Sequence, residues 1–169
     1  MLTPKERLKT VLSGKKADRK PCICPGGMMN MLTEELMKTV QIYLPQAHTD
    51  ARMMAGLATA AYEQGCFANY GVPFCMTIAA EEMGAGVDLG SSAYEPHVTE
   101  YVIGTVSDWE KLPKLDVTKG RAKVVLDALG ILNEEGDAVP IVGNLTGPVS
   151  TASSVMEPVV FYQTIRKKN

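Results

Sequence analysis

The chain has 169 residues, of which 46% are hydrophobic and 21% charged, and its formal net charge is −2. This composition is typical of one globular domain with a buried core, here residues 1–169, and argues against disorder. The small net charge gives no basis for binding nucleic acid, and no apolar run reaches the roughly 20 residues that span a bilayer. The segment Met1–Arg7 lacks the apolar core of a signal peptide, which predicts a cytoplasmic location.

The first third of the chain predicts three helices and one strand. Thr3–Glu6 combines an N-cap threonine, a proline at the first helical position and a glutamate three residues after the cap. Lys20–Cys24 predicts a first short strand, which the loop Pro25–Asn30 follows. Thr33 begins a second helix, and Asp50 caps a third helix whose apolar residues recur at spacings of three and four.

The middle of the chain predicts a second strand, a short helix and a small hairpin. The second strand is predicted at Phe67–Tyr70, and the short helix near Ala79–Met83. Val87–Leu89 and Val98–Val102 are separated by turn residues, which predicts that they pair as antiparallel strands. Ser107–Glu110 has the pattern of a capping box and predicts a short helical turn.

The last third predicts a helix at Val124–Asn133, a strand at Val139–Gly143 and a closing helix at Ser150–Arg166. Repeated strand–loop–helix units favour a parallel sheet covered by helices. The predicted fold is therefore α/β: the N-terminal half of a TIM-type (β/α)8 barrel, with about three parallel strands and a small β-hairpin insertion. Three strands cannot close a barrel, so we expect an open sheet edge that something else must cover.

The strand at Val139–Gly143 is the most informative element, because it leads into the polar, glycine-rich loop Asn144–Ser150. A loop between a buried strand and the start of a helix is where α/β enzymes place their chemistry. Neither Gly26-Gly27 nor Gly143–Gly147 matches G-x-G-x-x-G or the phosphate-binding P-loop. The loops therefore predict a site at the strand ends without indicating a nucleotide.

Other reactive side chains give weaker signals. Cys22-x-Cys24 places two thiols on one face of a strand, but without a second Cys/His pair we favour buried strand cysteines over half a metal site. His48 and His97 belong to no metal-binding motif and are predicted to be surface or capping residues. Glu81-Glu82 has the chemistry of a general acid or base, although a solvated helix face is the more typical interpretation.

Several segments resemble the uroporphyrinogen decarboxylase superfamily, and in particular its methylcobamide-dependent methyltransferase branch. The segments occur in the order found in the family and together extend over nearly the whole chain. They are Thr3–Arg7, Asp18–Pro21, Gly27–Asn30, Pro45–Asp50, Val72–Thr77, Glu81–Gly84, Val87–Gly90 and Gly143–Ser150. The resemblance implies a TIM-type barrel roughly twice as long, of which this chain corresponds to the N-terminal half.

Enzymes of that branch move a methyl group from the cobalt of a corrinoid protein to a thiol such as coenzyme M, or to another acceptor. The resemblance implies a zinc ion, held in the second half of the barrel by a His-x-Cys pair and a later cysteine, that keeps the acceptor thiol nucleophilic. No H-x-C occurs here, so we expect no metal ligand or catalytic residue in this chain and no activity of the chain alone. The implied partners are a corrinoid protein, the methyl acceptor, and either the C-terminal half of the barrel or a second copy at the open edge.

The resemblance also implies that residues at the strand ends face the corrinoid or the acceptor. We expect these residues to pack against the ligand rather than to make or break bonds. They are Gly27, Met28, Asn30, Cys75, Thr77, Asn144 and Thr146.

Two alternatives remain open at the level of sequence. In a uroporphyrinogen decarboxylase, an arginine-rich segment follows the first strand and a central aspartate holds the substrate; here Pro25–Asn30 and Cys75 stand at those places. The loop offers no cation for the carboxylates of a porphyrinogen, which makes the decarboxylase the less favoured hypothesis. The third hypothesis is a non-catalytic half-barrel that acts by pairing its open edge.

Overall fold

The computed structural model describes residues 1–24 and 32–167. Within these ranges, seven α-helices, four short strands and two 3-10 helices follow one another along the chain. Their order is α1 (Pro4–Leu12), α2 (Glu34–Val40), a 3-10 helix (Gln46–His48), α3 (Ala51–Glu63), β1 (Tyr70–Val72), α4 (Ile78–Glu82), β2 (Gly86–Asp88), β3 (His97–Glu100), a 3-10 helix (Val106–Lys111), α5 (Gly120–Glu134), β4 (Ile141–Gly143), α6 (Pro148–Val155) and α7 (Pro158–Lys167).

The first three helices begin where local capping predicts. At α1, the Thr3 hydroxyl accepts the backbone N–H of Glu6 (3.2 Å), and the Glu6 carboxylate accepts the backbone N–H of Thr3 (2.8 Å). These hydrogen bonds also lower the pKa of Glu6. Thr33 caps α2 and Asp50 caps α3 by accepting the backbone N–H three residues further on, at 3.2 and 2.8 Å. The three predicted helix starts are confirmed.

The fold is α/β, with a parallel pair of strands and a small antiparallel pair. β1 and β4 are parallel, with Tyr70 opposite Ile141 and Val72 opposite Gly143. β2 and β3 are antiparallel, which confirms the predicted hairpin. A further parallel bridge joins Ile103 to Met156 outside the named strands.

The prediction of a strand at Lys20–Cys24 is wrong, and within the described ranges the parallel sheet has two strands rather than about three. The segment runs beside the start of β1, where the backbone N–H of Ala68 donates to the Cys22 carbonyl (2.7 Å). Further along, the Asn69 side chain rather than a backbone group bonds both the N–H and the C=O of Cys24, each at 2.8 Å. A side-chain amide has therefore replaced the backbone ladder that defines a strand.

The predicted closing helix Ser150–Arg166 is two helices, α6 and α7. Pro158 starts α7; it lacks the N–H that a continuing helix would need, and its ring sterically disfavours helical backbone at the preceding Glu157. Met156 is accordingly extended (φ −124°, ψ 147°) and forms the bridge to Ile103. The break lets the chain turn between the two helices.

Two helices begin earlier than the sequence pattern predicted, because side chains outside that pattern form hydrogen bonds at their first turns. The helical turn predicted from Ser107–Glu110 begins earlier, where Thr105 bonds the Asp108 carboxylate through its hydroxyl (2.8 Å) and its N–H (3.2 Å). The helix predicted at Val124–Asn133 begins at Gly120, because Glu82 from a distant segment accepts the N–H of Ala122.

Apolar residues form two separate buried clusters. The main core lies where α2, α3 and α5 pack on β1, and includes the fully buried Leu57, Phe74 and Leu132. The smaller cluster joins the hairpin region to α6 and α7 through residues such as Ile103 and Val155. Among the described helices, none combines the length and the apolar character needed to cross a membrane.

The guanidinium of Arg7 on α1 is buried and holds the N-terminal segment in place through hydrogen bonds. Its guanidinium donates to both oxygens of Asp18 (2.7 and 3.0 Å) and to the Leu2 carbonyl (2.7 Å). The guanidinium lowers the pKa of Asp18 well below the usual range of a carboxyl group. The Arg7–Asp18 ion pair therefore joins two segments that are separate in the sequence, Thr3–Arg7 and Asp18–Pro21.

Candidate functional site

The loops after β1 and β4 meet at the C-terminal ends of the parallel strands. The backbone N–H of Asn144 donates to the carbonyl of Val72 (2.8 Å), which continues the pairing one residue beyond β4. The Thr146 hydroxyl then donates to the carbonyl of Met76 (2.9 Å). These two bonds hold the loops side by side, as expected for the functional edge of a parallel sheet.

A cavity of about 290 Å³ opens between these loops and α5. Cys75, Asn144 and Thr146 all line it, so the structure brings together three of the residues predicted from sequence. The fourth, Thr77, is buried beside Cys75, with 3.7 Å between its hydroxyl and the sulfur. The remaining three lie outside the described residues: Gly27, Met28 and Asn30.

The rest of the cavity wall is mainly apolar and continues into a second cavity of about 540 Å³. Ala79, Leu115, Leu145 and Thr146 line both cavities. We call the two together the strand-end cleft. A concave apolar surface with a few converging polar groups is the usual form of a site for small molecules and cofactors.

Arg121, from the first turn of α5, forms a buried polar cluster behind Cys75 and is 5% exposed. Its guanidinium donates to the Glu81 carboxylate (2.5 Å), to the Cys75 sulfur (3.2 Å) and to the Thr77 hydroxyl (2.9 Å). Each of these three partners comes from the segment between β1 and the end of α4. The cluster thus links α5 to the base of the strand-end cleft.

The pair Glu81-Glu82 is not a solvated face, contrary to the sequence-based interpretation. Both side chains are half-buried and directed at the start of α5, where Glu81 pairs with Arg121 and Glu82 accepts the N–H of Ala122 (3.2 Å). Gly120 makes this approach possible, since a Cβ at that position would lie 2.1 Å from a Glu82 oxygen. The two carboxylates therefore have structural partners.

His48 is fully buried, and the prediction that it is a surface or capping residue is wrong. Its 3-10 helix packs against α3, and neither ring nitrogen has a hydrogen-bond partner among the described residues. Burial, aided by the positive charge of Arg121, lowers the pKa of His48 to about 4. The imidazole is therefore neutral at pH 7. His97, by contrast, is exposed as predicted.

Sequence reasoning missed Arg121, although a signal was present. A positive charge in the first turn of a helix is unfavourable to the helix dipole. An arginine in that turn therefore indicates a compensating partner, here Glu81, but the predicted helix start at Val124 left Arg121 outside the helix. The identity of that partner was not visible, because 40 residues separate the two along the chain.

The described residues contain no group of three or more His, Cys, Asp or Glu side chains that could hold a metal ion. The predicted pair Cys22-x-Cys24 is split, with Cys22 exposed and Cys24 buried. A structural zinc site needs four ligands and a catalytic one three, so the described part of the chain does not fit zinc.

The comparisons with known proteins agree with this architecture. A family model described as "Uroporphyrinogen decarboxylase (URO-D)" matches residues 3–168. The chain is 37% identical over 154 residues to the methylcobamide:CoM methyltransferase MtbA of Methanosarcina acetivorans, covering 90% of this chain and 44% of the relative. It is 34% identical over 167 residues to the methylcobamide:CoM methyltransferase MtaA of Methanosarcina barkeri, covering 98% and 48%.

A solved structure, a methyltransferase from Methanosarcina mazei, is similar with a TM-score of 0.85 and 32% identity, over 96% of this chain and 48% of that one. The chain thus spans a little under half the length of the curated relatives it matches, as expected for the N-terminal half of such a protein. On these grounds the chain belongs to the uroporphyrinogen decarboxylase family, and within it resembles the methylcobamide:coenzyme M methyltransferases.

Proposed function

We propose that this chain is part of a corrinoid-dependent methyltransferase, which moves a methyl group from a methylated corrinoid protein to a thiol such as coenzyme M or to another acceptor. The observation that carries the proposal is the 34–37% identity, over at least 90% of this chain, to proteins named methylcobamide:CoM methyltransferases. The strand-end cleft supplies a place for the ligand, because it lies where family barrels carry their chemistry.

In this proposal the residues of the cleft bind and orient. Cys75, Asn144 and Thr146 are the polar residues of an otherwise largely apolar wall, and Thr77 supports the first of them from behind. Such a wall suits the flat, largely apolar face of a corrinoid or the chain of a small thiol, with the polar atoms fixing its orientation. Gly27, Met28 and Asn30 remain proposed members of the same site.

The zinc ion implied by the resemblance is assigned to residues outside the described ranges, because these ranges do not fit it. When bound, zinc supplies a stabilised, nucleophilic thiolate. The part played by this chain is to shape the cleft and to hold the ligand in place.

We further propose that residues 1–169 are a single domain that forms the N-terminal half of a uroporphyrinogen decarboxylase-like TIM-type barrel. Among the described strands, β4 pairs with β1 on one side only. Apolar side chains around it and on the following helices are exposed, including Leu145 (80%), Val149 (60%), Val159 (58%) and Tyr162 (57%). Polypeptide equivalent to the second half of the relatives would cover them, and a second copy of the chain is the competing occupant.

The decarboxylase hypothesis has less support. The relatives compared above are named as methyltransferases rather than decarboxylases. The charges at the cleft also argue against a substrate with many carboxylates. The Arg121 guanidinium is buried and already paired with Glu81, so its charge is not available to bind such a substrate. Loss of carbon dioxide from uroporphyrinogen would be the observation that restores this hypothesis.

The test is transfer from methylcobalamin to coenzyme M, followed by the change in the cobalamin absorbance. Three samples are compared: this chain, the C-terminal half of the M. acetivorans relative, and an equimolar mixture of the two. We expect transfer in the mixture alone. Transfer by this chain alone would refute its dependence on second-half ligands, and an inert mixture that nevertheless forms a one-to-one complex would refute the proposed function.

A variant sharpens this assay. Leu126 of α5 lines the cleft and is about half-exposed, so Leu126→Glu places a charge on its wall with little effect on the core. We expect a rise in KM for methylcobalamin of about tenfold, because the carboxylate must be desolvated when the largely apolar face of the corrin ring packs against it. Leu12→Glu on α1, which is exposed and outside the cleft, is the matched control and should leave KM unchanged.

A further inference from the structure

The Arg121 side chain extends into the protein, although solvent lies within its reach. Its anchor, Glu81, is one-third exposed, and an open groove lies beside both residues. Arginine side chains usually extend towards water, because burying a guanidinium is costly unless it is paired. Here the guanidinium instead places one terminal nitrogen on Cys75 and the other on Thr77. An ion pair serving stability alone does not require these two inward contacts.

The direction of each hydrogen bond follows from the chemistry of the donor. A guanidinium only donates, so the Thr77 hydroxyl accepts from Arg121 (2.9 Å). The hydroxyl hydrogen is then free to point at the Cys75 sulfur, 3.7 Å away, while a second guanidinium nitrogen approaches the sulfur at 3.2 Å. The sulfur therefore has a donor on two sides, and its remaining side faces the strand-end cleft.

Glu82 provides a second attachment of α5, beside the Glu81–Arg121 pair. Glu82 accepts the N–H of Ala122 (3.2 Å) and fits against Gly120, and it appears in none of the contacts of Cys75 or Thr77. Both carboxylates therefore attach the start of α5, but only the Glu81–Arg121 pair also contacts the wall of the cleft. This division provides a matched pair of variants at one helix start.

We propose that Arg121 is a positioning residue for the cleft: Glu81 fixes its guanidinium, and the guanidinium fixes the Cys75 sulfur and the Thr77 hydroxyl at the wall that the ligand contacts. The ligand-contacting role of Cys75 and Thr77 rests on the proposed function. The positioning itself is a property of this chain and is measurable without any methyl transfer.

The experiment measures how fast iodoacetamide alkylates Cys75, by mass spectrometry of peptides from the intact folded chain. Cys24, which is also buried, is the internal reference in the same sample. The guanidinium and the Thr77 hydroxyl hold the sulfur with its remaining side towards the strand-end cleft. We therefore expect Arg121→Gln, which releases the sulfur from this position, to slow alkylation of Cys75 relative to Cys24 by at least about tenfold. Arg121→Lys keeps the positive charge but lacks the planar set of donors of a guanidinium, and its Cys75 alkylation rate should lie between those of Arg121→Gln and the wild type.

Glu82→Ala is the matched control, since it loosens the same helix start without touching the sulfur. It should change the Cys75 rate by less than about twofold, because no donor to the sulfur is lost. Equal slowing in Arg121→Gln and Glu82→Ala, or an unchanged rate in Arg121→Gln, would overturn the proposal. If Arg121→Gln does not fold, Glu81→Gln replaces it, and its Cys75 rate relative to Cys24 is compared with that of Glu82→Ala in the same way.

The two proposals fail separately. Inert methyl-transfer samples combined with the expected alkylation pattern contradict the proposed function and leave the positioning role intact. Active methyl transfer combined with equal slowing in both variants contradicts the positioning role alone.

Discussion

The N-terminal and C-terminal regions of this chain differ in how far their apolar side chains are buried. Helix α3 has six buried residues and lies within the main core, whereas α7 has none among its described residues. On α7, Val159, Tyr162 and Ile165 are spaced by three residues and are each about half-exposed. Among the described residues, the first region buries its apolar side chains in the main core, whereas α7 leaves its own largely exposed.

The energetic consequence is a difference in local stability. Full burial of a Leu, Met or Phe side chain contributes about 1.5–3 kcal/mol. Helix α3 gains this at Met54 and Leu57, and its other four buried residues are alanines. α7 packs on the smaller cluster chiefly through Phe161 and leaves most of its apolar surface in water. We expect α7 to open locally far more often than α3.

The largest expected effect comes from truncating the core of the first region. Leu57→Ala removes a fully buried side chain of α3 and should lower the free energy of unfolding by about 2–5 kcal/mol. Val159→Ala on α7 is the matched truncation and should cost less than about 0.5 kcal/mol. Urea unfolding measures both, and equal losses would contradict the contrast between the regions.

The next effect depends on pH and concerns His48. Its pKa of about 4 in the folded chain lies below the ordinary value of 6.5, so the unfolded chain binds the extra proton first. This group should therefore leave stability unchanged above pH 6.5 and lower it by about 3 kcal/mol as the pH falls from 6.5 to 4.

His48→Leu should remove this part of the pH dependence, which unfolding at a series of pH values measures. His97→Gln, at an exposed position, is the control and should retain it. A wild-type and a His48→Leu profile of the same shape would show that the burial of His48 has no energetic consequence.

Smaller effects are expected from two glycines of α5, the helix that borders the cleft. Gly120 has φ +58°, and a Cβ there would meet Glu82, so Gly120→Ala should cost about 1–2 kcal/mol. Gly130 lies inside the helix with open space around it, so Gly130→Ala should stabilise by about 0.5–1 kcal/mol. Thermal unfolding compares the two, and the same sign for both would contradict the role given to Gly120.

The sequence predicted features whose causes are local. The caps at Thr3, Thr33 and Asp50 bond to backbone groups within three residues, and the strand near Val139–Gly143 is flagged by its own composition. The break before α7 was also local, since Pro158 marks it, yet the apolar pattern on both sides concealed it.

Two other errors have non-local causes. Lys20–Cys24 has the composition of a strand, but Asn69, 45 residues away from Cys24, takes the place of its ladder. His48 carries no motif, and its burial depends on how its short helix packs against α3. For the site, residues such as Cys75 and Asn144 were predicted through the family resemblance, whereas the link from Arg121 to Glu81 and Cys75 spans at least 40 residues and carries no sequence motif.

Hydrogen–deuterium exchange of the chain, alone and mixed with the C-terminal half of the M. acetivorans relative, tests the contrast between the regions most directly. Alone, the amides of α7 should exchange much faster than those of α3. In the mixture, protection of β4 and α7 should rise at least about tenfold while α3 stays unchanged, because covering apolar surface suppresses local opening. Equal protection of α3 and α7 in a monomeric chain, or no gain at β4 and α7 within a formed complex, would contradict the account.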